Sequence, residues 1–185
     1  ILGDFDSISD KRVLAEYASE IVQKFSCDKD WTDTEIAIEN AYKKAAHENS
    51  VPYITLIGGD GGRIDHLLAV YDTFSSEKHA SVWLLAKQAV WFLEKNAYCE
   101  IYGLKSNDII SIARTDDCRS GGKIHTEGLE WESSVFRSSG MPSISNRISD
   151  KQYEAGKPVK ITVQEKPFLL VAPLSADVRF PLKAQ

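Results

Sequence analysis

Residues 53–66 read Tyr53-Ile54-Thr55-Leu56-Ile57-Gly58-Gly59-Asp60-Gly61-Gly62-Arg63-Ile64-Asp65-His66. The opening run is apolar, lies between Pro52 and Gly58, and fits a short parallel strand buried on both faces. Past the glycines, Leu67, Val70, Tyr71 and Phe74 recur at i, i+3, i+4 and i+7, the spacing of one helical face. A second apolar run, Val82-Trp83-Leu84-Leu85-Ala86, comes next. Strand, loop, helix and strand in that order define a parallel α/β unit, with covering helices.

The same alternation extends upstream. Residues 10–25 place Leu14, Tyr17, Ala18, Ile21 and Phe25 on one face and predict a helix. Residues 33–47 do the same with Ile38, Ala41, Tyr42 and Ala45, and this helix carries a start signal. Thr32-Asp33-Thr34-Glu35 has capping-box spacing, with Thr32 as N-cap and Glu35 reaching back. The first residues, Ile1-Leu2-Gly3, read as the end of a buried strand, so further residues are expected before them.

After about residue 88 the rhythm changes. Strands are expected close together at 89–95, 98–102, 108–113, 122–126, 159–164 and 168–172, separated by glycines and a Ser-rich stretch at 133–145. No long helical period is present, which points to an antiparallel sandwich or barrel. The expected fold class is therefore α/β in two parts. A mostly parallel sheet flanked by helices, lacking its N-terminal part, covers residues 1–88. An antiparallel β-sandwich covers 89–185. Neither half is large, so each should bury surface against the other or against another subunit.

Composition narrows the function. Of 185 residues, 43% are hydrophobic, enough for a packed core and too many for a disordered chain. A net charge of −5 argues against a nucleic-acid surface. An acidic chain that binds an anionic nucleotide needs a local device: a metal ion, a placed arginine or backbone amides. Cys27, Cys99 and Cys118 are widely spaced with no CxxC pair, which suits a reducing compartment. No run has membrane-spanning length, and a soluble cytoplasmic protein is expected.

Three clusters can carry chemistry. Gly3-Asp4-Phe5-Asp6-Ser7 lies where a buried strand gives way to a loop, the place where open α/β sheets bind ligands. Asp4 and Asp6 would lie on one side of the chain, about 7 Å apart, and two such carboxylates suit a hard divalent cation. Both also make ordinary turn and helix caps. Asp28-Lys29-Asp30-Trp31-Thr32-Asp33 runs into a helix start. Asp33 there either completes a carboxylate site or simply favours the helix dipole, and Lys29 can reach phosphate oxygens. The third cluster is the glycine loop of 58–62. Its backbone can approach a ligand closely, a helix N-terminus behind it favours an anion, and Arg63 adds a planar fork of donors. A flexible turn capped by Asp65 would leave the four glycines and Arg63 unexplained. No Lys-Ser/Thr follows the glycines, so this is not a Walker A loop. Carboxylates, a glycine cradle and an arginine together describe phosphoryl-type transfer from a nucleotide.

In order along nearly the whole chain, these motifs resemble the thiamine pyrophosphokinase family: Gly-Asp-Phe-Asp-Ser at 3–7, Lys-Asp-Trp-Thr-Asp at 29–33 and Gly-Gly-Arg-Ile-Asp-His at 61–66. In the β half, Gly128-Leu129-Glu130-Trp131 is similar to the family's Gly-Leu-x-Trp, and Ser143-Ile144-Ser145-Asn146 to its Ser/Thr-x-Ser-Asn. The resemblance implies an α/β catalytic domain followed by a β-sandwich, ATP and thiamine as substrates, Mg2+, and a homodimer. It implies Asp4, Asp6, Asp33 and Asp65 as the acidic cluster near magnesium and phosphates, with Asp4, Asp6 and Asp33 on the metal. Arg63, with Lys29, Gly61 and Gly62, would meet the phosphates. Ser145 and Asn146 would line the thiamine pocket at the dimer interface, so that one chain's β half completes its partner's site. The thiamine hydroxyl would attack the β-phosphorus of ATP and release AMP.

The chain departs from the family pattern in three places. Gly59-Asp60 stands where bacterial relatives have Ala and a variable residue, Ser133 replaces a usual Leu, and nothing matches an upstream Ala-Asp-Gly-type loop. Other readings stay open. A haloacid-dehalogenase-type phosphatase also places an acidic pair after a strand, but it leaves the glycine loop and the β half without a role. A pyrophosphokinase for another alcohol, such as a hydroxymethylpterin, shares the acidic and glycine-rich parts. A non-catalytic nucleotide-binding module would bind ATP without turnover.

Overall fold

The computed structural model describes residues 1–3, 5, 8–26, 30–59, 61–115, 122–132 and 143–181. They fall into two compact units, Ile1–Ile54 and Thr55–Gln185.

In the first unit, β1 (Leu2–Gly3) pairs in parallel with β2 (Gln23–Lys24), Leu2 opposite Gln23. The helix expected over residues 10–25 does not form. Two 3-10 turns, Lys11–Glu16 and Ser19–Ile21, stand in its place, parted by Tyr17 in an extended conformation. Two causes act together. The Asp10 carboxylate accepts from the Arg12 backbone N–H at 3.0 Å and from its guanidinium Nε at 2.9 Å, a local bond that competes with the helical ladder. The apolar face is also only partly covered: Leu14 and Phe25 are half-buried, while Tyr17 and Ile21 stay 48% and 53% exposed. An isolated amphipathic turn without packing is not stable in water.

Residues 33–47 do form a helix, α1 (Asp33–His47), with both halves of the capping box in place. Glu35 N–H donates to Thr32 Oγ1 at 3.2 Å, and Thr32 N–H donates to Glu35 Oε2 at 2.7 Å. Ile38 and Ala45 of the expected face are buried.

The second unit contains two sheets. One is six-stranded, in the order β3 (Thr55–Ile57), β4 (Val82–Leu84), β5 (Gln88–Leu93), β11 (Phe168–Pro173), β7 (Ile110–Arg114), β9 (Ser143–Asn146). The other is four-stranded and antiparallel: β12 (Asp177–Arg179), β6 (Tyr98–Tyr102), β10 (Val159–Gln164), β8 (Lys123–Glu127). Side chains of both sheets meet in one core that includes Ile101, Ile112, Ile124, Ile161, Phe168 and Leu170. The short helix α3 (Asp150–Glu154) lies between β9 and β10.

The expectation of a mostly parallel N-terminal sheet is corrected here. Only β3 and β4 run parallel in the six-stranded sheet, joined through the helix α2 (Ile64–Thr73); its other ladders are antiparallel. A parallel pair needs a long crossover, and α2 supplies one. The three residues between β4 and β5 can only reverse the chain, so the sheet continues antiparallel past residue 88. Nor is the 53–57 run a buried strand: β3 is an edge strand, and Ile57 is 82% exposed.

At its C-terminal end α2 is tied to the sheet. The Tyr71 hydroxyl donates to the Arg114 carbonyl at 2.5 Å, and Ser75 Oγ donates to the Thr115 carbonyl. Phe74, buried just beyond the helix, lies with its ring centroid 6.5 Å from that of Trp83 and 6.3 Å from that of Phe92. The opposite end of α2, with Arg63 and Asp65, stays exposed.

Candidate active site

In the first unit the helix cap sets Asp33. Thr32 and Glu35 hold the first turn of α1, and Asp33 is its first residue. Its carboxylate leans over the end of β1: a Cβ on Gly3 would lie 2.7 Å from Asp33 Oδ2. Gly3 holds a φ of +153°, so the missing side chain is needed for both space and backbone. Asp33 therefore stands beside the residue from which Asp4 and Asp6 follow in the sequence. Asp4, Asp6 and Lys29 lie outside the described residues.

In the second unit, β3 runs into the glycine loop, where Gly58, Gly59 and Gly62 have φ near +88°, +86° and +88°. Two bonds from β4 hold the start of this loop. Gly58 N–H donates to the Leu84 carbonyl at 2.8 Å, and Trp83 Nε1–H donates to the Gly58 carbonyl at 2.7 Å. Sequence reasoning did not single out Trp83. No local signal marks it, because the partner is 25 residues away. A Cβ at Gly61 or Gly62 would meet nothing within 4 Å, so the backbone there is open to an approaching ligand.

Arg63 is the N-cap of α2, and Asp65 lies in its first turn. Arg63 Nε donates to Asp65 Oδ1 at 3.1 Å, and Nη2 donates to Oδ2. Hydrogen bonding from Arg63 is the main cause that holds the Asp65 carboxyl down to about 2, against an ordinary 3.8. A guanidinium has five N–H donors, so this pairing leaves others for an anion in front of the helix. Arg63 and Asp65 are thus brought together in the second unit, while Asp33 belongs to the first.

Ser145 and Asn146, at the end of β9, differ in burial. Ser145 is exposed, with a φ of +55°, and its N–H donates to Ser111 Oγ at 3.1 Å. Asn146 is 1% exposed, and its amide bonds only within the chain. Trp131 stands beside it with 57% exposure.

Among the described residues no three His, Cys, Asp or Glu side chains gather into a metal site, and no helix is long and apolar enough to cross a membrane.

Solved structures of the same fold come from bacteria and yeast. A thiamin pyrophosphokinase family protein from Enterococcus faecalis matches with a TM-score of 0.63 at 16% identity, over 93% of this chain and 78% of its own. Thiamine pyrophosphokinase from Bacillus subtilis matches at 0.60 with 19% identity, over 93% and 76%. Thiamin pyrophosphokinase from Candida albicans matches at 0.59 with 16% identity, over 94% and 72%. At such identities the likeness establishes a fold: a mixed α/β chain dominated by sheets. A sequence search among curated proteins finds no significant match. The family model described as thiamin pyrophosphokinase, catalytic domain, matches residues 1–84. The matched stretch contains Asp33, the glycine loop, Arg63 and Asp65.

Proposed function

We infer that this chain is a thiamine pyrophosphokinase that transfers a pyrophosphoryl group from ATP to the hydroxyl of thiamine. The observation that carries the reading is the catalytic-domain match over residues 1–84. It encloses the acidic motifs, the glycine loop and the exposed Arg63 at a helix start. The hydroxyl oxygen bonds to the β-phosphorus of ATP and gives up its proton, the bond from that phosphorus to the oxygen shared with the α-phosphorus breaks, and AMP leaves with that oxygen.

Asp33 fits a magnesium site on two grounds: its carboxylate crowds the end of β1, and oxygen donors suit a hard cation. Asp4, Asp6 and Asp33 would hold the ion, which neutralises phosphate charge when bound. Arg63, Lys29 and the amides of Gly61 and Gly62 would orient the phosphates, and Asp65 steadies the fork of Arg63. Ser145 and the neighbourhood of Asn146 would face thiamine. The division of labour follows residues 1–88 for phosphate chemistry and 89–185, read as a β-sandwich, for thiamine and dimer contacts. The working form would be a cytoplasmic homodimer.

The test is to incubate the protein with ATP, magnesium and a panel of alcohols. AMP and thiamine pyrophosphate formed only with thiamine are expected. AMP formed with a pterin alcohol instead would move the substrate, and a trapped aspartyl-phosphate would replace the reading with a phosphatase.

A further inference from the structure

Asn146 sits where the family motif implies a substrate contact, yet its amide has no bonding capacity left for one. The amide nitrogen donates to the Trp131 carbonyl at 2.7 Å and to Ser143 Oγ at 2.8 Å. The amide oxygen accepts from Trp131 N–H at 3.2 Å and from Arg147 N–H at 2.9 Å. A side-chain amide offers two donors and two lone pairs, and all four are engaged on a residue that is 1% exposed. A ligand bond to Asn146 would require breaking one of them in a buried place, which is costly.

The bonds share a target. Two of the four grip the main chain of Trp131 on both its N–H and its carbonyl. From the other side Glu132 grips the same turn: its Oε2 accepts from Thr126 Oγ1 at 2.6 Å and its Oε1 from Gly128 N–H at 2.6 Å. Thr126 is 2% exposed, so that anchor is itself fixed. Backbone bonds from Glu130 N–H to the Arg147 carbonyl and from Ser149 N–H to the Gly128 carbonyl, both 2.9 Å, close the corner. The indole of Trp131 stays outside the corner, 57% exposed.

We propose that Asn146 and Glu132 are positioning residues that clamp the Trp131 segment from two sides, and that neither touches the substrate. Held this way, the exposed ring and the neighbouring Ser145 are presented without the entropy cost of ordering them at binding. The placing of this corner at the thiamine end of the reaction rests on the function proposed above; the clamp itself does not.

Steady-state kinetics on the full chain separate contact from clamp. Asn146→Ala and Glu132→Ala should each raise KM for thiamine about tenfold and leave KM for ATP within about twofold. Glu132→Gln should restore the parent value. Its remaining carbonyl oxygen keeps the Gly128 N–H, and the Thr126 hydroxyl can turn to accept from the new amide. In a Trp131→Ala background, Asn146→Ala should add less than about twofold, since both act through one segment. A full tenfold loss persisting in that background would place Asn146 on the substrate and overturn the proposal.

A second readout needs no turnover. The indole N–H resonance of Trp131, identified by its loss in Trp131→Phe, should shift or broaden in both alanine variants and return in Glu132→Gln. The resonances of Trp31, Trp83 and Trp91 report that each variant is folded, and the Glu132 pair carries the test if Asn146→Ala is not. An unchanged Trp131 signal in folded alanine variants would overturn the clamp. Absence of any thiamine turnover in the parent, with that signal moved as expected, would sink the proposed function instead.

Discussion

The start of α2 and the corner from Thr126 to Ser149 hold their polar groups in opposite ways. At α2, Arg63 and Asp65 pair in the open, at side-chain exposures of 70% and 58%, beside glycines with free space around them. At the corner, a buried amide and a glutamate fix main-chain atoms, and the ring of Trp131 is left outside. An exposed ion pair contributes little to stability and can exchange partners with little loss. Buried bonds are costly to break and set geometry before a ligand arrives. The first arrangement suits a group that must meet changing charge; the second suits a wall that must not move.

The largest break in this comparison should come at Arg63. Arg63→Lys replaces a planar fork with a point charge and should lower kcat about 100-fold or more if the guanidinium meets charge developing on the phosphates. Thermal stability should not change, because the side chain is exposed. A raised KM with an unchanged kcat would reduce Arg63 to ground-state binding.

Gly3→Ala sharpens the comparison inside the first unit. Its Cβ would fall 2.7 Å from Asp33 Oδ2, so the carboxylate must move. Turnover should drop roughly 10- to 100-fold, the scale of a misplacement of about 1 Å at a reacting centre. Partial recovery at raised magnesium is expected, and normal kinetics would show that Asp33 is not held for the reaction.

A smaller effect is expected at Thr32, whose hydroxyl accepts from Glu35 N–H. Thr32→Ala should destabilise the first unit by about 1 kcal/mol, read by denaturant titration. Thr32→Ser should recover most of it. Equal stability of all three proteins would mean the cap does not support α1.

The smallest effect concerns pH. Asp65 has its carboxyl depressed to about 2 by Arg63, so the pair is fully present above the unfolded value near 3.8 and is lost as pH falls through about 2. Carboxyl NMR should give a midpoint near 2, moving toward 3.8 in Arg63→Ala. Activity changes between pH 5 and 9 should then be the same in Asp65→Asn as in the parent. A midpoint that ignores the Arg63 substitution would mean the two groups are not paired in solution.

Some of this molecule is decided within a few residues. α1 and its cap were legible because Thr32, Asp33 and Glu35 contain the whole start signal, and Ile38 and Ala45 do lie on the buried face. The strands of the β half were legible for a similar reason, since Val159, Ile161 and Val163 alternate with less buried neighbours, the period of a one-sided strand. The acidic motifs, the glycine loop and Arg63 were legible as residue types suited to phosphate chemistry.

Other features depend on partners far along the chain, and only the tertiary structure decided them. Residues 10–25 have the same helical spacing as 33–47, but Tyr17 and Ile21 of their apolar face stay exposed, and local bonds at Asp10 break the ladder. Strand direction was set by the short link between β4 and β5, not by the apolar runs themselves. Trp83 reaches the glycine loop across 25 residues, and Asn146 reaches Trp131 across 15. Sequence determined which groups this chain possesses. Which backbone groups the amide of Asn146 bonds was decided by packing, because a buried group must satisfy its hydrogen bonds with whatever the fold brings near.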